Sequence, residues 1–452
     1  MRKGNFVVFI ISLVFIFSQF IFSEENEWDY LGLSGKPIRV LTISPHNTST
    51  LYAGTFYRGL HKSTDGGYNW IEYLDDPDHW GTVPVGSMSS IEIDYKTPGI
   101  VYVLSYSGLW KTIDDGENWV RLNYHPYGVW ANILKIDPKI PSRLYIGMWH
   151  VSSMEPESVG GIRISTDGGE NWSHFGLAHY DIADIIVDPN DTSIIYVMGG
   201  TESPGLPSGV FVTRDAGFNW NFIPESEYLD IRDLAISPTQ PSVVYFGTLG
   251  NGIFISTDFG TTWNELNSPM IEIDKIVVAP SSPRTISVNS DQGIFITKDG
   301  GQNWTQLPDL SNVSTMVFHP FDSTTLFAGT WHGFFDGDGV FSLSLVQKIE
   351  CLINIDPNTL NKKSNGGWIT AYIELPEGND VNDIDIKTVV LEYDSQNIKA
   401  EMGEVQGNLL MVKFSRQSLI SILYDVNGDV ELKVTGKVAN KIFEGTDTIK
   451  VK

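Results

Sequence analysis

The chain has 452 residues, a length that suits two or three domains. Its 55 acidic against 30 basic side chains leave a formal charge of -25. So negative a surface repels nucleic acid and anionic membranes, which both need patches of Lys and Arg. The single cysteine, Cys351, excludes an intramolecular disulfide and a Cys-ligated structural zinc.

Arg2 and Lys3 open the chain, followed by an apolar run from Phe6 to Phe22 that only Ser12, Ser18 and Gln19 interrupt. Residues 1–23 read as an export signal, with Ser23 before the cleavage point and Glu24 and Glu25 after it. The mature chain is then expected to be secreted or held at the cell surface. An uncleaved anchor is the other reading, since the run is near the lower limit for crossing a bilayer.

Beyond this segment a repeat dominates the chain. The pattern Ser/Thr-x-Asp-x-Gly-x-x-Trp starts at positions 63, 112, 165, 213, 256 and 297. Its aspartates are Asp65, Asp114, Asp167, Asp215, Asp258 and Asp299. The spacing between starts is that of a four-stranded propeller blade. Each unit holds short apolar strands, such as Ile38–Ile43, Leu51–Thr55 and Leu60–Lys62, separated by Gly, Pro and Asp turns. An inner-strand turn recurs seven times, at Pro45, Tyr95, Pro138, Pro189, Pro238, Pro280 and Pro320. The seventh unit lacks the Asp motif and a fourth strand. Trp28-Asp29-Tyr30-Leu31 looks like a fourth strand and is expected to complete that unit, leaving no open sheet edge. The expectation is an all-β chain: a seven-bladed β-propeller over residues 24–345 with Asp-box hairpins.

These motifs resemble the Asp-box (BNR-repeat) propellers, and are similar to the repeats of sortilin-type receptors, photosystem II assembly factors and bacterial xyloglucanases. The resemblance covers about residues 28–345 and implies fold far more than function. In xyloglucanases of this kind the first catalytic Asp follows the "Gly-Thr" segment of blade one. Here Thr55 is followed by Phe56. Sialidases carry the same box and need three arginines; Arg39 and Arg232 would supply two of them.

The box aspartates are expected to be structural, because one active site needs one constellation rather than six copies. A carboxylate at that place accepts backbone N–H groups within the hairpin, and the glycine permits positive φ. A ligand is expected at the opposite end, on irregular loops. Binding candidates there are Tyr57, Trp80, Tyr127, Trp130, Trp149, His150, Trp331 and His332, aromatic and imidazole groups suited to a protein or glycan ligand. At the inner-strand starts the polar positions are irregular and include Arg39, Asp184, Arg232, Asp233, Asp274 and Lys275, of which Arg39, Arg232 and Lys275 are further binding candidates. The leading reading is a non-catalytic binding protein. The alternative is a glycoside hydrolase using Asp184, Asp233 and Asp274, since glycan cleavage takes two carboxylates flanking the bond. No phosphate loop, zinc motif or serine elbow occurs, so no cofactor or metal is expected.

From residue 347 to 452 the repeat stops and alternating strands appear, such as Trp368–Leu375, Leu409–Phe414 and Val430–Val434. This region is expected to be an immunoglobulin-like β-sandwich serving as an accessory module. Asp425, Asn427 and Asp429 have calcium-loop spacing, but Gly436 stands where an acidic ligand would close the loop, so they read as a hairpin turn.

Overall fold

The computed structural model describes residues 27–73, 84, 86–122, 129–150, 160–200, 207–331, 338–346, 348–363, 366–394, 396–439 and 441–452. They fall into two compact units, 27–346 and 348–452. Both are built almost wholly from antiparallel strands. Among the described residues no helix is long and apolar enough to cross a membrane.

The first unit contains seven four-stranded antiparallel sheets among its described residues. Their inner strands, in chain order, are Ile38–Ile43, Met88–Ile93, Val129–Ile136, Asp181–Val187, Ile231–Ile236, Ile273–Val278 and Val313–His319. Each inner strand packs against the next, and the seventh packs against the first, so the contacts form a closed circuit. The seventh sheet takes its outer strand from the start of the chain: Asp29–Gly32 pairs antiparallel with Val340–Ser344. Leu31 is buried, sealing an edge that would otherwise offer free backbone groups.

The second strands carry a recurrent tyrosine, followed two places on by glycine in several sheets, as at Tyr52 and Gly54, Tyr145 and Gly147, and Tyr245 and Gly247. Tyr52, Tyr102, Tyr145, Tyr196 and Tyr245 are buried, and the Tyr52 hydroxyl donates to Asp115 Oδ1 of the following sheet at 2.7 Å. The glycine lets the next inner strand approach closely. A Cβ on Gly54 would lie 2.5 Å from Met88 Cβ, and one on Gly329 would lie 2.4 Å from Ile38 Cγ2. The second of these contacts joins the seventh sheet to the first. Apolar side chains fill the space between successive sheets, for example Tyr52, Leu60, Met88, Ile91, Val103 and Trp110 between the first and second.

The Asp motifs form identical hairpin turns. Asp258 Oδ1 accepts from Ser256 Oγ at 2.8 Å and from the Thr262 amide at 2.9 Å. The Ser256 hydroxyl also accepts from the Gly260 amide at 2.8 Å. The same set recurs at Asp65, Asp114, Asp167, Asp215 and Asp299. These bonds hold the carboxyls below the usual carboxylate range. Asp114, Asp167, Asp258 and Asp299 lie at about 2, with the Asn or Thr four residues on as the largest cause.

In the second unit, a four-stranded sheet (Leu352–Asp356, Trp368–Glu374, Leu409–Ser415, Met402–Gln406) shares one apolar core with a six-stranded sheet. Ile355, Ile369, Val412 and Phe414 come from the first, and Leu391, Leu432, Val434 and Phe443 from the second. Three features lie outside the sequence reading: two parallel edge pairings, a hairpin of two eleven-residue strands (Gly428–Val438, Lys441–Val451) and the helix Arg416–Ile422. The Asp425-to-Asp429 turn is held by an ammonium: Lys362 Nζ donates to Tyr424 O at 2.9 Å, Val426 O at 2.6 Å and Asn427 Oδ1 at 3.3 Å. Burial pushes the Cys351 thiol up to about 12, so it is no nucleophile at neutral pH.

Candidate functional site

The circuit of inner strands surrounds a cavity of about 500 Å³. Its wall is decided by a feature repeated in every sheet of the first unit. Pairing between the inner strand and its neighbour shifts register at the same place seven times, skipping Arg39, Ser89, Asn132, Ala183, Arg232, Asp274 and Ser314. Each is a β-bulge, which re-aims the side chains around it. The residue after each bulge points inward: Val40, Ser90, Ile133, Asp184, Asp233, Lys275 and Thr315 all line the cavity. Of the bulged residues themselves, Arg39, Ser89 and Ser314 also reach the wall.

Six charged groups gather on the wall: Arg39, Glu92, Lys135, Asp184, Asp233 and Lys275. Lys275 Nζ lies 2.6 Å from Asp233 Oδ1, and the Ile276 amide donates to Asp233 Oδ2 at 2.7 Å. Lys135 Nζ donates to Glu92 Oε1 at 3.2 Å. Both pairs bridge neighbouring sheets. Burial pushes the Asp233 carboxyl above its ordinary range, with Lys275 opposing and Asp184 adding to the rise. Burial works against charge on Lys275, yet Asp233 and Asp184 lift its pKa above the usual lysine value. Glu92 does the same for Lys135. Asp184 has no cation within 4.0 Å among the described residues; its Oδ1 accepts from the Ile185 amide at 2.8 Å. Several neutral groups tie sheet to sheet at this level, such as Ser90 Oγ to Leu134 O at 3.0 Å.

The other sequence candidates divide. Arg232 and Asp274 are exposed on their bulges and off the wall, and Arg232 pairs with Asp230 at 3.1 Å. Arg39 is on the wall. Its Nη1 donates to Ser87 Oγ at 2.9 Å, and its guanidinium carbon lies 5.5 Å from the Phe56 ring centre. Phe56 stacks on Trp331 at 4.8 Å and meets Tyr57 edge-on at 4.3 Å. Trp331 and Tyr57 are 39% and 54% exposed, so one aromatic cluster spans the loops of the first and seventh sheets. Trp149 is 41% exposed and donates Nε1 to Ile182 O at 3.1 Å. Trp80, Tyr127 and His332 lie outside the described residues, as do the side chains of Trp130 and His150. Among the described residues no group of three or more His, Cys, Asp or Glu is placed to hold a metal.

Sequence reasoning overlooked Glu92 and Lys135, which lie two residues deeper on their strands than the aligned mouth positions. The signal was present: at that depth most sheets carry apolar or small residues, such as Ile186, Ala235 and Val277.

Comparison with known proteins agrees with the repeat. The family model described as "Sortilin, neurotensin receptor 3" matches residues 208–327, and the BNR/Asp-box repeat matches residues 163–174. The xyloglucanase Xgh74A of Acetivibrio thermocellus is 24% identical over 271 residues, covering 51% of this chain and 27% of that protein. Thus only about a quarter of that relative's length is matched. The solved GH74 xyloglucanase of Xanthomonas campestris superposes with a TM-score of 0.55 at 16% identity, covering 80% of this chain and 60% of that one. YCF48 solved bound to D1 peptide gives a TM-score of 0.51 at 16% identity, covering 71% of this chain and 96% of that one. The chain is an all-β protein of Asp-box repeats, similar to sortilin-type proteins, xyloglucanases and YCF48 propellers.

Proposed function

We propose that the chain is an extracellular glycan-active protein: a seven-bladed β-propeller over residues 24–345, followed by an immunoglobulin-like accessory sandwich over 347–452. An export signal at 1–23 would deliver it to an extracellular polysaccharide. Hydrolysis is the first reading, because the matched curated relatives are xyloglucanases. The observation that carries it is the meeting of Asp184 and Asp233 on one cavity wall. Glycoside hydrolysis takes one carboxyl to protonate the leaving oxygen and a second to activate water or attack the sugar. Burial raises the Asp233 carboxyl, as suits an acid, and Asp184 is the neighbouring carboxylate. Tyr57, Trp149 and Trp331 would seat sugar rings at the mouth.

Binding without cleavage is the second reading, and two observations favour it. Both Asp233 oxygens are engaged, by Lys275 and by the Ile276 amide. Phe56, in an aromatic stack, stands where the resemblance to xyloglucanases places a catalytic Asp. Incubation of the full chain with xyloglucan, followed by assay of new reducing ends, separates the two. Cleavage that Asp184→Asn and Asp233→Asn each abolish supports hydrolysis. Retention of the polysaccharide without new ends supports binding alone. No retention and no cleavage overturns both for xyloglucan.

A further inference from the structure

The wall of the cavity carries three cations, and they are not alike. Lys275 and Lys135 each have a carboxylate partner, Asp233 and Glu92. Arg39 has none among the described residues: its neighbours are the Ser87 hydroxyl and the face of Phe56. Burial lowers the pKa of Arg39, so water is withdrawn from a guanidinium that has no counter-ion among the described residues. A partly desolvated, uncompensated charge is unfavourable until an anion meets it. The guanidinium is also held in place, with Nη1 fixed by Ser87 and the cation seated over an aromatic ring.

We propose that Arg39 is an anion-recognition group at the cavity mouth, and that the glycan it meets carries uronic-acid carboxylates. This rests on the glycan reading above and narrows its substrate class. The geometry favours a charged sugar over a bare anion because Phe56 stacks on the half-exposed Trp331 beside it. A sugar ring lies flat on an indole while its carboxylate takes the guanidinium in a bidentate pair. The net charge of -25 repels polyanions at long range. That repulsion fades over about 8 Å at physiological ionic strength, whereas the contact pair is screened much less.

Isothermal titration of the full chain tests this with one uronic-acid oligosaccharide in two forms: native, and with its carboxyls reduced to primary alcohols. The expected result is about tenfold tighter binding of the acidic form. That preference should fall as salt rises and collapse to near one in Arg39→Gln. Arg39→Lys should restore part of it. If Arg39→Gln does not fold, Ser87→Ala, which frees the guanidinium, should lower the preference instead. Equal affinity for the two forms, or a preference unchanged in Arg39→Gln, overturns the inference while leaving binding of neutral polysaccharide intact. Absence of binding by xyloglucan and by both oligosaccharide forms overturns the glycan reading and the inference together. An acidic peptide bound through Arg39 with no sugar bound would overturn the assignment to a uronic acid.

Discussion

The two ends of the seven-sheet unit obey different rules. At one end the box turn and the inner-strand turn are joined the same way six times. The amides of Gly66, Asp115, Gly168, Ala216, Phe259 and Gly300 donate to the carbonyls of Ser49, Gly99, Ser142, Ser193, Ser242 and Arg284, all between 2.8 and 3.0 Å. At the other end the backbone is just as regular, with a bulge in every sheet, but the side chains differ from sheet to sheet. Arg39, Ser89, Asn132, Ala183, Arg232, Asp274 and Ser314 share a position and little chemistry. Uniform chemistry on uniform backbone builds a scaffold; varied chemistry on the same backbone is where a ligand is met.

Changes that strike the shared backbone should cost most. Gly329→Val puts methyl groups where Ile38 Cγ2 already sits 2.4 Å from the added Cβ, at the junction of the seventh and first sheets. It should destabilise the unit by about 3 kcal/mol, read from denaturant unfolding. Asp233→Ala should cost about 2 kcal/mol, since it strands the buried Ile276 amide and removes the partner of Lys275. The box carboxyls should show in the pH dependence. Their folded pKa values are depressed, so the stability they confer is complete above about pH 4 and disappears as pH falls toward 2. Thermal midpoints measured from pH 5 to 2 should fall across that window, and less steeply in Asp258→Asn. The smallest effect should be a gain. Phe259 has φ of 59°, a left-handed conformation that Gly66, Gly168 and Gly300 occupy in other boxes. Phe259→Gly should stabilise by about 0.5 kcal/mol, through relief of that strain, with no effect on ligand binding.

The sequence carried the repeat because its period rests on local turn chemistry: Ser256, Asp258 and Gly260 satisfy one another within five residues. It also carried the closing strand, because Trp28 to Leu31 matches the other outer strands. The bulges were hidden. Two adjacent polar positions, such as Arg232 and Asp233, look equivalent in a string of letters. A one-residue register shift sends Asp233 to the cavity wall and leaves Arg232 exposed. The Glu92–Lys135 pair was hidden for another reason: its partners are 43 residues apart and belong to neighbouring sheets. The Phe56–Trp331 stack likewise joins the first sheet to the seventh, a contact that only closure of the circuit creates.

If the two ends divide scaffold from recognition in this way, the bulged end, and not the box end, should meet the proposed polysaccharide. Hydrogen exchange on the full chain with and without soluble xyloglucan tests that division. The expected result is added protection at the inner-strand starts near Arg39, Asp184 and Asp233 and in the segment of Phe56 and Trp331, with the box turns at Asp65 through Asp299 unchanged. Protection concentrated on the box turns, with the bulged strand starts unchanged, would contradict it.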